Sequence, residues 1–219
     1  NLVLNNNTIS YENAFLLESG NIDSNKDIIF NNQDIDFGYQ NDDGENIIMY
    51  ICKNYIKLFT LHEYLDDPMI LYIIEILLKR GVDVNLRNKN GESAIFYAVR
   101  DKRSTGDMIR LLIKYGAQVN IWNNTNETPF MIAILNDISK FSAKALFQYV
   151  NPNLQDNNGN TSLIYFCQKN INFKDNLQLI KLFLKISGID LNIQNNEGKT
   201  ALMYACEINQ RTSHEQLNF

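Results

Sequence analysis

Three cysteines, Cys52, Cys167 and Cys206, are the residues of this chain best suited to metal binding or redox chemistry. Each stands eight residues after a glycine, and the equivalent places in two similar segments hold Val99 and Ile134. A place that accepts Cys, Val and Ile is typical of a small core slot, because a buried thiol packs as a modest hydrophobe. An odd count with no CxxC pair argues against a disulfide framework or a zinc site. We therefore expect core packing in a reducing compartment.

Acid–base chemistry would have to come from two histidines and from paired carboxylates. His62 falls in an inserted segment and His214 near the C-terminus, whereas Asp42-Asp43 and Asp66-Asp67 fall in a turn and at a helix start. A histidine acts in catalysis only where a partner orients it, and turn chemistry or the helix dipole explains the acids. Neither GxxxxGK[ST] nor GxGxxG occurs. We predict no enzyme activity, no catalytic residue, no metal and no cofactor.

Composition excludes several kinds of partner. The 219 residues are 45% hydrophobic, 21% charged and carry a formal net charge of -5. Binding to nucleic acid or to an anionic membrane requires a concentrated basic surface, which a net negative charge does not favour. No apolar run reaches the roughly 20 residues that span a bilayer. The first ten residues, NLVLNNNTIS, lack the zones of a signal peptide. We expect a monomeric, intracellular and cytoplasmic protein that binds neither nucleic acid nor membrane.

These residues sit in a unit that occurs five times. A polar segment, here called a finger, leads to a turn residue, then to a helix cap and an apolar stripe at i, i+3 and i+4. The turn residues are Gly44, Gly91, Asn126, Gly159 and Gly198, and the caps two residues later are Asn46, Ser93, Thr128, Thr161 and Thr200. Gly and Asn tolerate positive φ, and the cap side chains accept hydrogen bonds from free N–H groups. Four units contain a second helix, and Gly81, Gly116 and Gly188 predict where three of these end.

The order of these elements resembles the ankyrin repeat. The closest fragments are LLKRGVDVN (77–85), LLIKYGAQVN (111–120), ETPFMIAI (127–134) and GKTALMYAC (198–206). The resemblance implies an all-α solenoid of helix-turn-helix units with short β-hairpin fingers. Turn-to-turn spacings of 47, 35, 33 and 39 residues depart from the family's period near 33, which indicates inserted loops. The Asn- and Ile-rich composition is similar to that of ankyrin-repeat proteins of large DNA viruses with AT-rich genomes, intracellular bacteria or protists.

The chain divides into two regions on this pattern. Residues 1–35 are expected to be a divergent N-terminal cap or a disordered leader. Residues 36–219 form the ankyrin-repeat domain. Its predicted repeats are about 36–82, 83–117, 118–150, 151–189 and 190–219, with the last incomplete.

The resemblance also implies a concave face made by finger tips and first helices. Four residues before each turn residue stand Gln40, Arg87, Trp122, Gln155 and Gln194, and we predict that these contact a partner, together with Lys89 and Arg100. Trp122 is the only Trp, and exposed Trp and Arg are favoured interface anchors. The alternative is that its ring packs locally over the neighbouring finger.

A long binding surface without catalytic groups indicates a non-catalytic module that binds a protein through this concave face. The alternative is a substrate-recruiting segment of a larger ubiquitin-ligase adaptor or enzyme, with its effector domain outside these residues. The site of action would be the host cytoplasm for a viral or bacterial effector.

Overall fold

The computed structural model describes residues 38–61, 67–100, 106–137, 140–169 and 173–207. Within these ranges eight helices are bounded as α1 (Ile47–Leu61), α2 (Asp67–Lys79), α3 (Ala94–Ala98), α4 (Asp107–Lys114), α5 (Pro129–Leu135), α6 (Lys140–Leu146), α7 (Ser162–Gln168) and α8 (Phe173–Phe183). Residues 201–207 are also helical and are called α9. Helix α1 has 15 residues and runs into the first of the inserted segments between helices.

The helices form two stacked rows. In the inner row α1 packs on α3, α3 on α5 and α5 on α7, and in the outer row α2, α4, α6 and α8 follow one another in the same way. Contacts between α1 and α2 and between α3 and α4 join the rows. This arrangement confirms the predicted all-α solenoid. The expected β-hairpins are not formed: within the described residues the fingers contain no strand and are tight turns closed by backbone hydrogen bonds.

A continuous core runs between the rows. The first apolar place of the inner helices holds Ile48, Ile95 and Phe130, each at most 1% exposed. Near repeat four, Phe183 packs against Phe130, Phe147 and Phe166 with ring centroids 5.2 to 5.4 Å apart. Such aromatic clusters bury large areas in one place, so this cluster stabilises the packing between the third and fourth repeats.

The turn and cap columns have the predicted roles. Every turn residue has positive φ, from 58° at Asn126 to 78° at Gly44, and the three glycines that end second helices also have positive φ. Four caps accept a bond from the N–H three residues on: Asn46, Thr128, Thr161 and Thr200. Ser93 is the exception, because its buried Oγ has no partner among the described residues.

The prediction that the three cysteines pack in the core is confirmed fully for only one of them. Cys52 is 4% exposed and its thiol donates to Sδ of Met108 at 3.6 Å. Cys167 is half-buried, and Cys206 is exposed, because the core slot that it should fill in repeat five is uncovered by the described residues. His62, His214, Asp66 and the N-terminal residues 1–35 lie outside the described ranges.

Candidate functional site

Each finger is fixed by an Asn or Asp three residues before its turn residue. The Oδ1 atom of this side chain accepts two backbone N–H groups, one from the residue before the turn residue and one from the residue after it, at 2.8 to 3.0 Å. The five residues are Asn41, Asn88, Asn123, Asp156 and Asn195. Sequence reasoning missed this column, although its restriction to Asn and Asp was an available signal for this turn chemistry.

Neighbouring fingers are joined through their backbones. The N–H of Lys89 donates to the carbonyl of Asp43, that of Asn124 to Asn90, and that of Asn196 to Asn158, each at 2.9 Å. The amide side chains of Asn124 and Asn196 add bonds of 2.8 and 2.9 Å to neighbouring carbonyls. The tips therefore form one ordered row, which reduces the conformational entropy that this chain would lose on binding a partner.

The predicted contact column is itself an inter-repeat ladder. The guanidinium of Arg87 donates to the carbonyl of Trp122. The indole N–H of Trp122 donates to the carbonyl of Gln155 at 3.4 Å, and the amide of Gln155 donates to the carbonyl of Gln194 at 3.0 Å. The side chains of Arg87, Trp122 and Gln155 thus each hydrogen-bond their own repeat to the next one. Arg87 and Gln155 make a second bond within their own fingers, to Gly91 and Gly159.

The seven predicted contact residues differ in how available their side chains are. Gln40, Lys89 and Gln194 are exposed, and their side chains make no bond within the described ranges of the chain. Trp122 is 39% exposed, so part of its ring is open and part lies over the finger of repeat four. Arg87, Gln155 and Arg100 hold internal bonds. Gln40, Lys89, Gln194 and the open side of Trp122 are therefore the most accessible features of the predicted set.

Three ion pairs hold fingers to inner helices. Lys53 binds Glu45 at 2.8 Å, Arg100 binds Glu92, and Lys199 binds Glu207 at 3.0 Å. In each pair one residue follows the turn residue and the other lies eight residues further on. In repeats one and two the acidic residue follows the turn residue, whereas in repeat five the basic residue, Lys199, takes that place. The guanidinium of the predicted contact residue Arg100 is thus paired with the carboxylate of Glu92.

A buried network lies beneath the first two fingers. Tyr97 donates to Glu45 at 2.7 Å and accepts from the amide of Asn88 at 2.8 Å. Burial raises the pKa of Glu45, but bonds from Lys53, Tyr97 and Asn41 together outweigh burial and leave the pKa below its usual value. Burial, followed by the bond to Glu45, raises the pKa of Tyr97. Glu45 is therefore charged and Tyr97 neutral at pH 7.

The same helix-pair order is matched by a family model. The model of ankyrin repeats in three copies matches residues 69–148 and 138–217. The chain belongs to the ankyrin-repeat family. Among solved structures, this ankyrin-repeat chain is similar to a chain of the complex of the predatory endopeptidase Bd0816 from Bdellovibrio bacteriovorus with the immunity protein Bd3460. The match has 26% identity, covers 92% of both chains and has a TM-score of 0.59. No curated protein matches significantly.

Potential metal ligands are scattered in the described ranges of this ankyrin stack. No group of three or more His, Cys, Asp or Glu side chains comes together there. Burial raises the pKa of Cys52 to about 12 and that of Cys167 to about 11, so neither thiol is a ready nucleophile at neutral pH. The helices of the described ranges include none long and apolar enough to cross a bilayer.

Proposed function

We propose that this chain acts inside the cell as a monomeric, non-catalytic module that holds a protein partner against its finger face. The observation that carries the proposal is the row of exposed tips on a fixed backbone. Every tip is closed by an Asn or Asp side chain, and three junctions between tips are bonded through the backbone. A row that is already ordered binds with little loss of conformational freedom.

The chemistry of the face favours a polar partner surface with one apolar contact. Asn90 and Asn158 are exposed, and their side chains make no bond within the described ranges, so each amide offers both a donor and an acceptor. Lys89 adds a positive charge beside Asn90, and the ring of Trp122 adds a flat apolar surface in the next repeat. Because the cations of Lys53 and Arg100 are paired with carboxylates, the face does not select for strongly acidic partners.

A second, narrower candidate is that the partner is an enzyme which this chain neutralises. It is favoured by the similarity to the chain from the endopeptidase–immunity protein complex, which extends over 92% of both chains. Ordered loops that cover an enzyme surface block access without any chemistry of their own.

Capture from a lysate of the source cell tests the proposal. Lys89→Glu changes a finger tip, and Lys144→Glu makes the same substitution on outer helix α6; both lysines are exposed. We expect the Lys89→Glu chain to recover about tenfold less of at least one protein that the wild-type and Lys144→Glu chains both capture. Equal recovery by all three chains would remove the finger face as the binding surface. Assay of the captured protein with and without the chain then decides whether it is a neutralised enzyme.

A further inference from the structure

The fingers of repeats three and four are joined differently from the others. At each of the three other junctions, the residue two places before the turn residue donates its backbone N–H to a carbonyl of the preceding finger. Asn157 holds that place in finger four, and its N–H makes no bond within the described ranges of the chain. Its side chain instead donates to the carbonyl of Thr125 at 3.4 Å, which is long for a bond of this kind. The row of backbone bonds between finger tips is therefore interrupted at this junction.

The turn residue of finger three gives the physical reason for the interruption. At the bonded junctions the turn residue is Gly, and a Cβ built on Gly44, Gly91 or Gly159 would lie 3.3, 3.1 or 2.9 Å from the nitrogen that makes the bond between tips. Non-bonded carbon atoms prefer neighbours at roughly 3.5 to 4.0 Å, so only Gly allows this approach. Asn126 has a φ of 58° and keeps the turn conformation, but it carries a Cβ. Finger four is consequently held away from finger three.

The bonds that remain between these two tips are long or exposed. The indole N–H of Trp122 donates to the carbonyl of Gln155 at 3.4 Å. The amide of Asn126 donates to Oδ1 of Asn157 at 2.6 Å, between two exposed side chains. Water replaces such an exposed bond at little net cost, whereas the other junctions would lose backbone bonds of 2.9 Å. Fingers three and four therefore separate more easily than the other neighbouring fingers.

The base of the same junction is tightly held. Asn120 donates to the carbonyl of Tyr149 at 2.9 Å and accepts the N–H of Asn151 at 2.7 Å. In the core, Phe130 of repeat three packs against Phe183 of repeat four with ring centroids 5.4 Å apart. Packed aromatic rings of this kind keep the helices together when the tips part. A fixed base and a loose tip are the two elements of a hinge.

We propose that the junction between repeats three and four is a hinge, closed at its base by the phenylalanine cluster and free to open at the finger tips because of Asn126. Opening breaks the bond from Trp122 to Gln155 and uncovers the part of the indole ring that lies over finger four. Fingers one to three and fingers four and five each stay ordered as a unit. The hinge is a property of the free chain, so it goes beyond the proposed function and does not depend on it.

Exchange of single backbone amides with water, measured by NMR on the full chain and corrected for intrinsic rates, tests the bonding of the tips. We expect the N–H of Asn157 to exchange at least tenfold faster than those of Asn124 and Asn196, which hold the same place in bonded junctions. Asn126→Gly removes the Cβ, so it should restore the backbone bond to finger three and slow exchange at Asn157 at least tenfold. Gly159→Asn is the matched reverse change and should speed exchange at Asn196 by a similar factor.

The opening motion has two readouts of its own. Hinge motions occur in microseconds to milliseconds, so relaxation dispersion should detect exchange at the tips of fingers three and four in the wild-type chain and lose it in Asn126→Gly. Trp122 is the only Trp, so its fluorescence reports the uncovering of the ring. Acrylamide should quench the wild-type chain more strongly than Asn126→Gly. Circular dichroism checks that each variant is folded.

Three results would overturn the hinge. The first is exchange at Asn157 as slow as at Asn124 and Asn196 in the wild-type chain, which would mean that the tips are bonded in solution. The second is a folded Asn126→Gly chain whose dispersion and quenching equal those of the wild type. The third is unchanged exchange at Asn196 in a folded Gly159→Asn chain, because the Cβ would then not be what parts the fingers.

Discussion

The hydroxyl of Tyr97 donates a hydrogen bond of 2.7 Å to Oε1 of Glu45 across the boundary between repeats one and two. Lys53 reaches the same oxygen at 2.8 Å, and Glu45 is 2% exposed. One buried carboxylate therefore joins a finger, its own inner helix and the inner helix of the next repeat. A buried charge with several bonds stabilises its surroundings only while it stays ionised, because protonation removes its attraction to Lys53.

The wild-type chain should lose stability in acid through Glu45. Its pKa is lower in the folded chain than the value of about 4.3 for an unfolded glutamate, so the stabilisation is present above about pH 4.3 and is lost as pH falls through the folded pKa. Tyr97→Phe removes the bond donated to Glu45 and the bond accepted from Asn88, so it should cost about 1–3 kcal/mol at pH 7 and weaken this acid dependence. Urea unfolding between about pH 3 and pH 7 measures both. An unchanged acid slope in Glu45→Gln would refute the assignment.

Asn120 and Asn192 each lie six residues before a turn residue, and we predict unequal effects of the same substitution at the two places. Asn120→Ala removes two bonds to the next repeat and leaves the Tyr149 carbonyl and the Asn151 N–H without them, so we expect a loss of about 1–3 kcal/mol. Asn192→Ala removes a side chain that makes neither of these bonds among the described residues and should change the free energy of unfolding by less than about 0.5 kcal/mol. Both are read from urea unfolding curves. Comparable losses would contradict a stabilising role for the two bonds of Asn120.

Alanine substitutions at two turn glycines distinguish the effect of backbone strain from the effect of contact between fingers. Gly159 and Gly198 have φ of 73° and 72°, so alanine meets the same conformational strain at each, about 1–2 kcal/mol. A Cβ at Gly159 would also lie 2.9 Å from the backbone nitrogen of Asn196, whereas no atom of the described chain lies within 4 Å of one at Gly198. Gly159→Ala should therefore lower the melting temperature more than Gly198→Ala. Equal shifts would mean that the fingers move apart freely.

The cap column predicts an unequal response to removal of a hydroxyl. Thr161 accepts the N–H of Ile164 at 3.2 Å, so Thr161→Ala should cost about 1 kcal/mol. Ser93 has a fully buried Oγ that bonds no described residue, so Ser93→Ala should leave stability unchanged or raise it. Chemical unfolding of the two variants gives the comparison. A clear loss in Ser93→Ala would show that its hydroxyl is bonded in solution.

The features of the fold that follow from single-residue constraints were predictable from sequence. A residue with positive φ must be Gly or a tolerant residue such as Asn, and a first-turn N–H needs an acceptor, so the turn and cap columns set the register of all five repeats. The inner and outer rows followed from that register and the apolar stripes.

Pairings between columns could not be predicted in the same way. Arg87 and Gln155 are polar residues in an exposed column, and sequence does not tell whether a polar side chain faces a partner or the carbonyl of the next repeat. The ion pair between Glu92 and Arg100 was not predicted for the same reason. The opposite order of charges in Lys199 and Glu207 was a sequence signal that these two places form a pair. Cys206 was placed in the core because the pattern carries no information on what covers repeat five.

Trp122 provides the decisive test of the finger face, since its ring is partly open and its N–H makes one long bond of 3.4 Å. Trp122→Ala should cost about 1–2 kcal/mol, leave the helical circular dichroism unchanged and reduce recovery of the captured protein. Trp122→Phe keeps a ring but no donor, so it should retain most binding if the apolar surface matters and lose it if the N–H does. A stability loss above about 3 kcal/mol in Trp122→Ala would identify the ring as core packing, because losses of that size come from buried aromatic residues. The contact hypothesis would then fail, and Lys89 and the neighbouring amides would be the accessible binding groups left among the described residues of the face.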